Sequence, residues 1–388
     1  MTRGPTTRCC SAFALILTLA AAAAAQPPAA NSLGLFPIRA QWTLPLNNVL
    51  TAAPALVGAR GYFPIQGDRL AAYDIEHGTL LWLVPAKTRT MPAVGDSLVF
   101  VVEPDSLTAF QAATGSVAWR VPFNEPLAAP LVWDNGWLIG TAASGTVLAF
   151  RARDGGLIWR QELGAAIQGS AALSGDRIFV PMHDNQIIAL KVETGEHLWT
   201  RRLGGAPNDI LALDNQLFVG SKDHYFYSLR ARDGFINWRY ATGADVLGLP
   251  VADRRRVYFV SLDNMLRALE RTTGGQRWKR VLPLRPTRGP VVAGNVLIVS
   301  GVPANSPAYL IKDGTPAGDI AAGGELATAP YVVPNGALPM VALVTRDIAN
   351  GTVVSTIIRA IDPTPVAVGP LPGAFSPPIP GAAPTTTR

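Results

Sequence analysis

Along most of this chain, apolar and polar positions alternate in short runs that end at turn-forming residues. In one such run Ile188, Leu190 and Val192 would share one face of an extended segment, and Ile187, Ala189 and Lys191 the other. That period of two predicts a strand with one face more buried than its opposite. Two-residue turn signals recur before these runs, as Gly67-Asp68, Ser144-Gly145, Asp184-Asn185, Asp223-His224 and Asp263-Asn264. An earlier set includes Gly95-Asp96, Asn135-Gly136, Gly175-Asp176, Asp214-Asn215 and Gly294-Asn295. Gly, Asn and Asp tolerate the positive φ that tight hairpins demand. A third turn, Thr-Gly, Asp-Gly or His-Gly, precedes a recurring tryptophan. Three hairpins per repeat predict four antiparallel strands.

The tryptophans set the period. Trp42, Trp82, Trp119, Trp159, Trp199, Trp238 and Trp278 are spaced by 40, 37, 40, 40, 39 and 40 residues. Six follow a glycine by four positions: Gly78, Gly115, Gly155, Gly195, Gly234 and Gly274. A seventh copy, LIKDGTPAG, keeps Gly314 but has Gly318 in the tryptophan's place. Such repetition signals a propeller or solenoid, and four strands per repeat make one propeller blade. Copies run at about 52–86, 91–123, 128–163, 169–203, 209–241, 247–282 and 288–320, and an eighth begins at Ala329-Pro330. The eighth lacks a final tryptophan strand, which the segment around Trp42 would supply. The expectation is an all-β, eight-bladed propeller of four-stranded antiparallel blades over residues 39–362, its ring closed by the N-terminal strand. Seven blades is the alternative. The repeated tryptophans and glycines are read as structural, the rings packing between blades and the glycines allowing the tight turn.

Composition agrees and adds a location. The 37 Gly and 33 Pro argue against a helical fold, and 48% hydrophobic content argues against global disorder. Residues 1–25 read as a secretory signal peptide, with Arg3 and Arg8 before an apolar stretch and Ala23-Ala24-Ala25 before Gln26. Both cysteines, Cys9 and Cys10, lie in that leader, so the mature chain would hold no disulfide and no thiol nucleophile. No cysteine ends the apolar stretch, as a lipobox requires. The expectation is therefore an exported protein of the periplasm or cell envelope with no lipid anchor. Losing Arg3 and Arg8 takes the formal charge from +6 to +4, too little to suggest nucleic acid as a partner. No later segment is apolar enough to span a bilayer. Residues 26–38 read as a lead-in and 363–388 as a Pro-rich flexible tail. The propeller is expected to be monomeric.

The repeated text [Leu/Phe/Tyr]-x-x-x-[Thr/Asp/His]-Gly-x-x-x-Trp resembles the pyrroloquinoline-quinone-like propeller repeat. That family includes quinoprotein dehydrogenases and the BamB type of outer-membrane assembly subunit; its four-stranded blades are WD40-like. Eight blades with a leader and no extra domain are more similar to the BamB type. The resemblance implies a non-enzymatic scaffold for protein–protein contacts in the cell envelope, with the outer-membrane β-barrel assembly machinery as partner. The alternative it implies is a pyrroloquinoline quinone-binding protein or quinoprotein dehydrogenase, with Ca²⁺ held by carboxylate and amide oxygens. No Glu/Asn/Asp set in the sequence can be matched to those ligands, so no catalytic, cofactor or metal residue is assigned.

Other chemistry finds no support in the residues. His77, His183, His197 and His224 sit at or beside turns without triad companions, and no HExxH, P-loop or GxSxG motif is present. Arg254-Arg255-Arg256 reads as a solvated hairpin tip. One face of the ring should carry the connectors between blades, which vary more than the strands. They contain Arg89, Asn124, Glu125, Gln168, Asn208, Asp209, Asp245, Arg285 and Arg288, a mixed-charge set suited to a peptide or protein surface around the central channel.

Overall fold

Blade 4 shows how one repeat folds. Its strands Ala172–Ser174, Arg177–Pro181, Gln186–Lys191 and His197–Arg202 run antiparallel in sequence order from the channel outward. The first hairpin turns at Gly175-Asp176, the second at Asp184-Asn185, where Asn185 has φ +69°. The third turns at Gly195, φ +71°, where any other residue would be strained. The computed structural model repeats this pattern around a ring of eight blades of four antiparallel strands, with the two-residue strand Glu325–Leu326 paired in addition in blade 8. It describes residues 35–46, 48–302, 305–322, 324–333 and 340–346, and the backbone of 353–360. The expected leader and tail lie outside the described residues.

The N-terminal strand closes the ring. Ile38–Pro45 pairs antiparallel with Val353–Ala360 as the outermost strand of blade 8, with Trp42 opposite Ile357. The two ends of the folded chain thus share one sheet, and the ring has no free end at that seam.

The alternation seen in the sequence does sort side chains, but both sets are buried. Ile188 and Leu190 join a core with Ile139, Val147 and Ala149 of blade 3; Ile187 and Ala189 join one with Leu217, Val219 and Tyr227 of blade 5. A middle strand of a propeller blade is sandwiched between two neighbouring sheets, so neither face meets water. The expected difference in burial between the two faces is confined to Lys191 at the strand's end, which stays partly exposed, while Ile187 and Ala189 are as buried as Ile188 and Leu190. A second difference is small: the hairpin near residue 96 turns at Asp96-Ser97, with Gly95 paired to Leu98. Gly95 is there for space, since a Cβ would lie 1.9 Å from the Trp133 ring of blade 3.

Tryptophan and glycine form one joint between blades. The Trp199 ring lies against Gly234 of blade 5, where an added Cβ would come within 2.7 Å of it. Its Nε1–H donates to Ala231 O at 3.0 Å. The same bond runs from Trp82, Trp119, Trp159, Trp238 and Trp278 to the next blade at 2.7–3.2 Å. In five blades an aromatic residue of the second strand backs the indole, as Phe179 does for Trp199 at 5.9 Å between centroids, whereas blade 3 has Ile139 at that register. Tyr62, Phe100, Phe218 and Tyr258 do the same in their blades. Such rings bury large apolar area and satisfy their one polar atom.

Candidate functional site

Antiparallel order puts the blade-to-blade connectors and the second hairpins at one face of the ring. On that face the eightfold regularity fails at blades 5 and 6. Their innermost strands, Pro207–Leu213 and Val246–Ala252, are seven residues long, against three in blades 1 to 4. Each carries a bulge. Between Pro207 and Ile210 the pairing on the second strand advances only from Ser221 to Val219, and between Leu247 and Val251 only from Val260 to Tyr258. Bulges re-aim side chains. Here they displace Asn208-Asp209 and Gly248-Leu249-Pro250 from the regular ladder toward the channel.

The result is a cavity of about 610 Å³ at the channel mouth. Its walls are mainly apolar, from Leu247, Leu249, Val251, Val291 and Ala329, with Gln168, Asn208, Asp209 and Arg288 among its polar residues. Gly248, at φ +63°, lets blade 6 press on the next connector: a Cβ there would lie 2.3 Å from Gly289 N. Leu249 stays 46% exposed, a large apolar side chain held in the open lumen.

Two charges in this cavity are unanswered. Asp209 is open to lumen water yet walled in by the ring, and that desolvation raises its carboxyl pKa. It has neither a hydrogen-bond donor nor a salt-bridge partner among the described residues. Burial lowers the pKa of Arg288, which Glu325 partly offsets. Arg288 Nη2 donates to Ala327 O at 3.0 Å, and no described carboxylate lies within salt-bridge distance of it. Gln168 adds a buried Oε1 with no partner. Asn208 Nδ2 is already engaged with Val246 O.

Of the nine connector residues singled out by sequence, the structure thus gathers four: Gln168, Asn208, Asp209 and Arg288. The other five stand apart on the connector segments. Glu125 pairs with Arg160, and Asp245 with His224 at 3.3 Å. Arg89, Asn124 and Arg285 are exposed. Sequence reasoning missed Leu249 and its neighbours, although Gly and Pro inside an inner strand are a known mark of a bulge.

The donor set of the cavity does not match a pyrroloquinoline quinone–calcium pair. It offers one carboxylate, of raised pKa, where calcium takes six to eight oxygens, and no aromatic ring lines it. The six repeat tryptophans from Trp82 to Trp278 are committed between blades, and neither Trp133 nor Trp137 lines this cavity. Elsewhere Asp74, Glu76 and His77 converge at a turn of the opposite face. There Asp74 Oδ1 accepts from the Glu76 and His77 amides, and His77 Nδ1 meets Asp74 Oδ2 at 3.0 Å, which accounts for the grouping as a turn.

Fold and site together define an eight-bladed propeller of pyrroloquinoline-quinone-like repeats with a cavity at its channel mouth. The pattern of one family, described as the outer membrane protein assembly factor BamB, matches residues 39–129, 103–213 and 203–320. The chain belongs to that family. A BamB of Yersinia pestis is 28% identical over 110 residues, which spans 27% of this chain and 28% of that protein's length. The crystal structure of BamB from Moraxella catarrhalis superposes with a TM-score of 0.64 at 19% identity, over 83% of this chain and 99% of the other. The computationally designed Ika8 protein gives 0.68 at 14%, over 83% and 100%. The quinohemoprotein alcohol dehydrogenase ADHIIG of Pseudomonas putida HK5 gives 0.61 at 14%, over 87% and 79%. At such identities these structures are likenesses of fold. Among the described residues no helix is long and apolar enough to cross a membrane.

Proposed function

We propose that this protein is an exported, non-enzymatic scaffold whose connector face docks a protein in the cell envelope, in the assembly of outer-membrane proteins. One observation carries this reading: the lumen cavity holds two charges of opposite sign, Asp209 and Arg288, that have no salt-bridge partner among the described residues. Desolvated charge without a partner costs stability, so a fold that keeps it at a cavity keeps it for a ligand. A partner segment that offers a cation or amide to Asp209, an acid or carbonyl to Arg288 and an apolar side chain to Leu249 complements all three. Its family membership supports the choice of outer-membrane assembly as the setting.

The test is capture of purified β-barrel assembly proteins by the full propeller, beside an Asp209→Asn/Arg288→Gln variant. Saturable binding that weakens at least tenfold in the variant supports the reading. Equal binding by both proteins, or none by either, overturns it. A thermal-shift titration with pyrroloquinoline quinone and Ca²⁺ checks the rival reading: a saturable rise in melting temperature would favour a quinoprotein.

A further inference from the structure

A second cavity, of about 350 Å³, opens on the opposite face between blades 6 and 7. Four cations line it, Arg255, Arg256, Arg277 and Lys312, against two carboxylates, Glu270 and Asp313. The repeat supplies an internal control, because the equivalent strand start and turn meet between blades 4 and 5. In both places an arginine at the start of the second strand bridges to the third turn of the next blade. Arg177 Nη1 donates to Arg232 O at 2.5 Å, and Arg256 Nη1 donates to Ile311 O at 2.8 Å and Lys312 O at 2.7 Å.

Around that shared bridge the charges differ. Between blades 4 and 5 four cations have an acid: Arg177 has Asp176 at 3.2 Å, Arg230 and Arg232 share Asp233, and Lys191 has Glu193 at 3.4 Å. Between blades 6 and 7, Arg255 takes the place of Asp176, immediately before the bridging arginine. Leu310 takes the place of Arg230, and Asp313 Oδ1 accepts from its own turn at Thr315 N, 2.9 Å. Glu270 is engaged by Arg277. Arg255 and Lys312 are left with no carboxylate in salt-bridge distance among the described residues.

We propose that this cleft is an anion site that takes the phosphate group of a phosphate-bearing ligand. A guanidinium and an ammonium together suit a compact group with several charged oxygens, and Arg256, which donates only to backbone carbonyls, adds positive field behind them. The volume admits a phosphorylated headgroup or a free phosphate ester.

The experiment uses the full chain at low salt, with calorimetric titration of glycerol phosphate and co-sedimentation with phosphatidylglycerol or phosphatidylcholine vesicles. The decisive variant is Arg255→Asp, which installs the residue that blade 4 already tolerates at this place. Lys312→Gln is the second, and Arg153→Gln on blade 3 removes one charge elsewhere as a control. Binding of glycerol phosphate or of phosphatidylglycerol vesicles should weaken at least tenfold in the first two, with the melting temperature kept, and persist in the control. Vesicle binding alone identifies a lipid headgroup as the source, and ester binding alone a soluble ligand. Absence of both, or equal loss in Arg153→Gln, overturns the proposal.

Discussion

The Phe36 ring occupies the space beside Gly318 where a Cβ would stand, 2.6 Å away. Gly318 pairs with Ala308 as Trp199 pairs with Ala189 and Trp278 with Ala268, so it fills the tryptophan position of blade 7. In blades 1 to 6 the tryptophan lies on the next blade's turn glycine. At the seam the sizes are exchanged: blade 7 provides the glycine, and the stretch leading into blade 8's outer strand provides the ring. Leu35 beside it is fully buried in the core shared by blades 7 and 8.

This exchange predicts that Phe36→Ala loosens the closure. A fully buried Phe→Ala costs about 3–5 kcal/mol, and the half-buried Phe36 should cost about 2 kcal/mol. Denaturant unfolding measures it, and Phe36→Leu should recover most of the loss. An Ala variant as stable as the parent would show that the ring does not hold the seam.

The indole joints predict an order among Trp→Phe variants. Trp159 Nε1 is the only described donor to Val192 O, at 2.7 Å, whereas Arg271 O receives both Trp238 Nε1 at 2.9 Å and Gln216 Nε2 at 3.4 Å. Trp159→Phe strands a carbonyl and should cost about 1–3 kcal/mol; Trp238→Phe should cost nearer 1 kcal/mol. Either Trp→Ala change should cost about 3–5 kcal/mol. Equal losses in the two Phe variants would contradict the bonding scheme.

The spacing of tryptophans and turn pairs made the ring legible, because each repeat must solve the same packing problem. What the repeat could not show lies where the repeat breaks. Phe36 replaces a tryptophan from the far end of the chain, a compensation that no local period reveals. The Gly248-Leu249-Pro250 bulge sits within a run that reads as strand. Asp209 and Arg288 were visible as connector residues, but their convergence follows from ring closure, and their lack of partners from distances.

Acid should loosen blade 6 through Asp263. Burial works against its charge, but hydrogen bonds from Arg267 and Ser261 outweigh it and hold the pKa down to about 2 from an ordinary 3.8. Arg267 Nη2 lies 2.5 Å from Asp263 Oδ2, and Gly243 N donates to the same oxygen at 3.0 Å. A carboxyl whose folded pKa is depressed stabilises above its unfolded pKa. The contribution, about 2 kcal/mol at most, is therefore complete above pH 4 and is lost as pH falls toward 2. Asp263→Asn should remove that part of the acid sensitivity. At pH 7 it should cost about 3 kcal/mol by leaving Arg267 buried without its acid. Stability measured from pH 7 to pH 2 checks both, and an unchanged acid slope would reject the assignment.

At the channel mouth the expected signs of stability and binding oppose each other. Asp209 has a raised pKa, so its ionised form is disfavoured in the folded protein, and that penalty is present above its folded pKa and relieved as pH falls. Asp209→Asn keeps the shape and removes the charge. The isolated propeller should become slightly more stable at pH 7, by a rise in melting temperature that shrinks toward zero in acid. Partner binding should fall at least tenfold, about 1.4 kcal/mol, because the segment loses its counter-charge. A residue kept only for the fold would move both quantities in the same direction. Loss of stability together with loss of binding in Asp209→Asn would assign Asp209 to the scaffold and not to the docking surface.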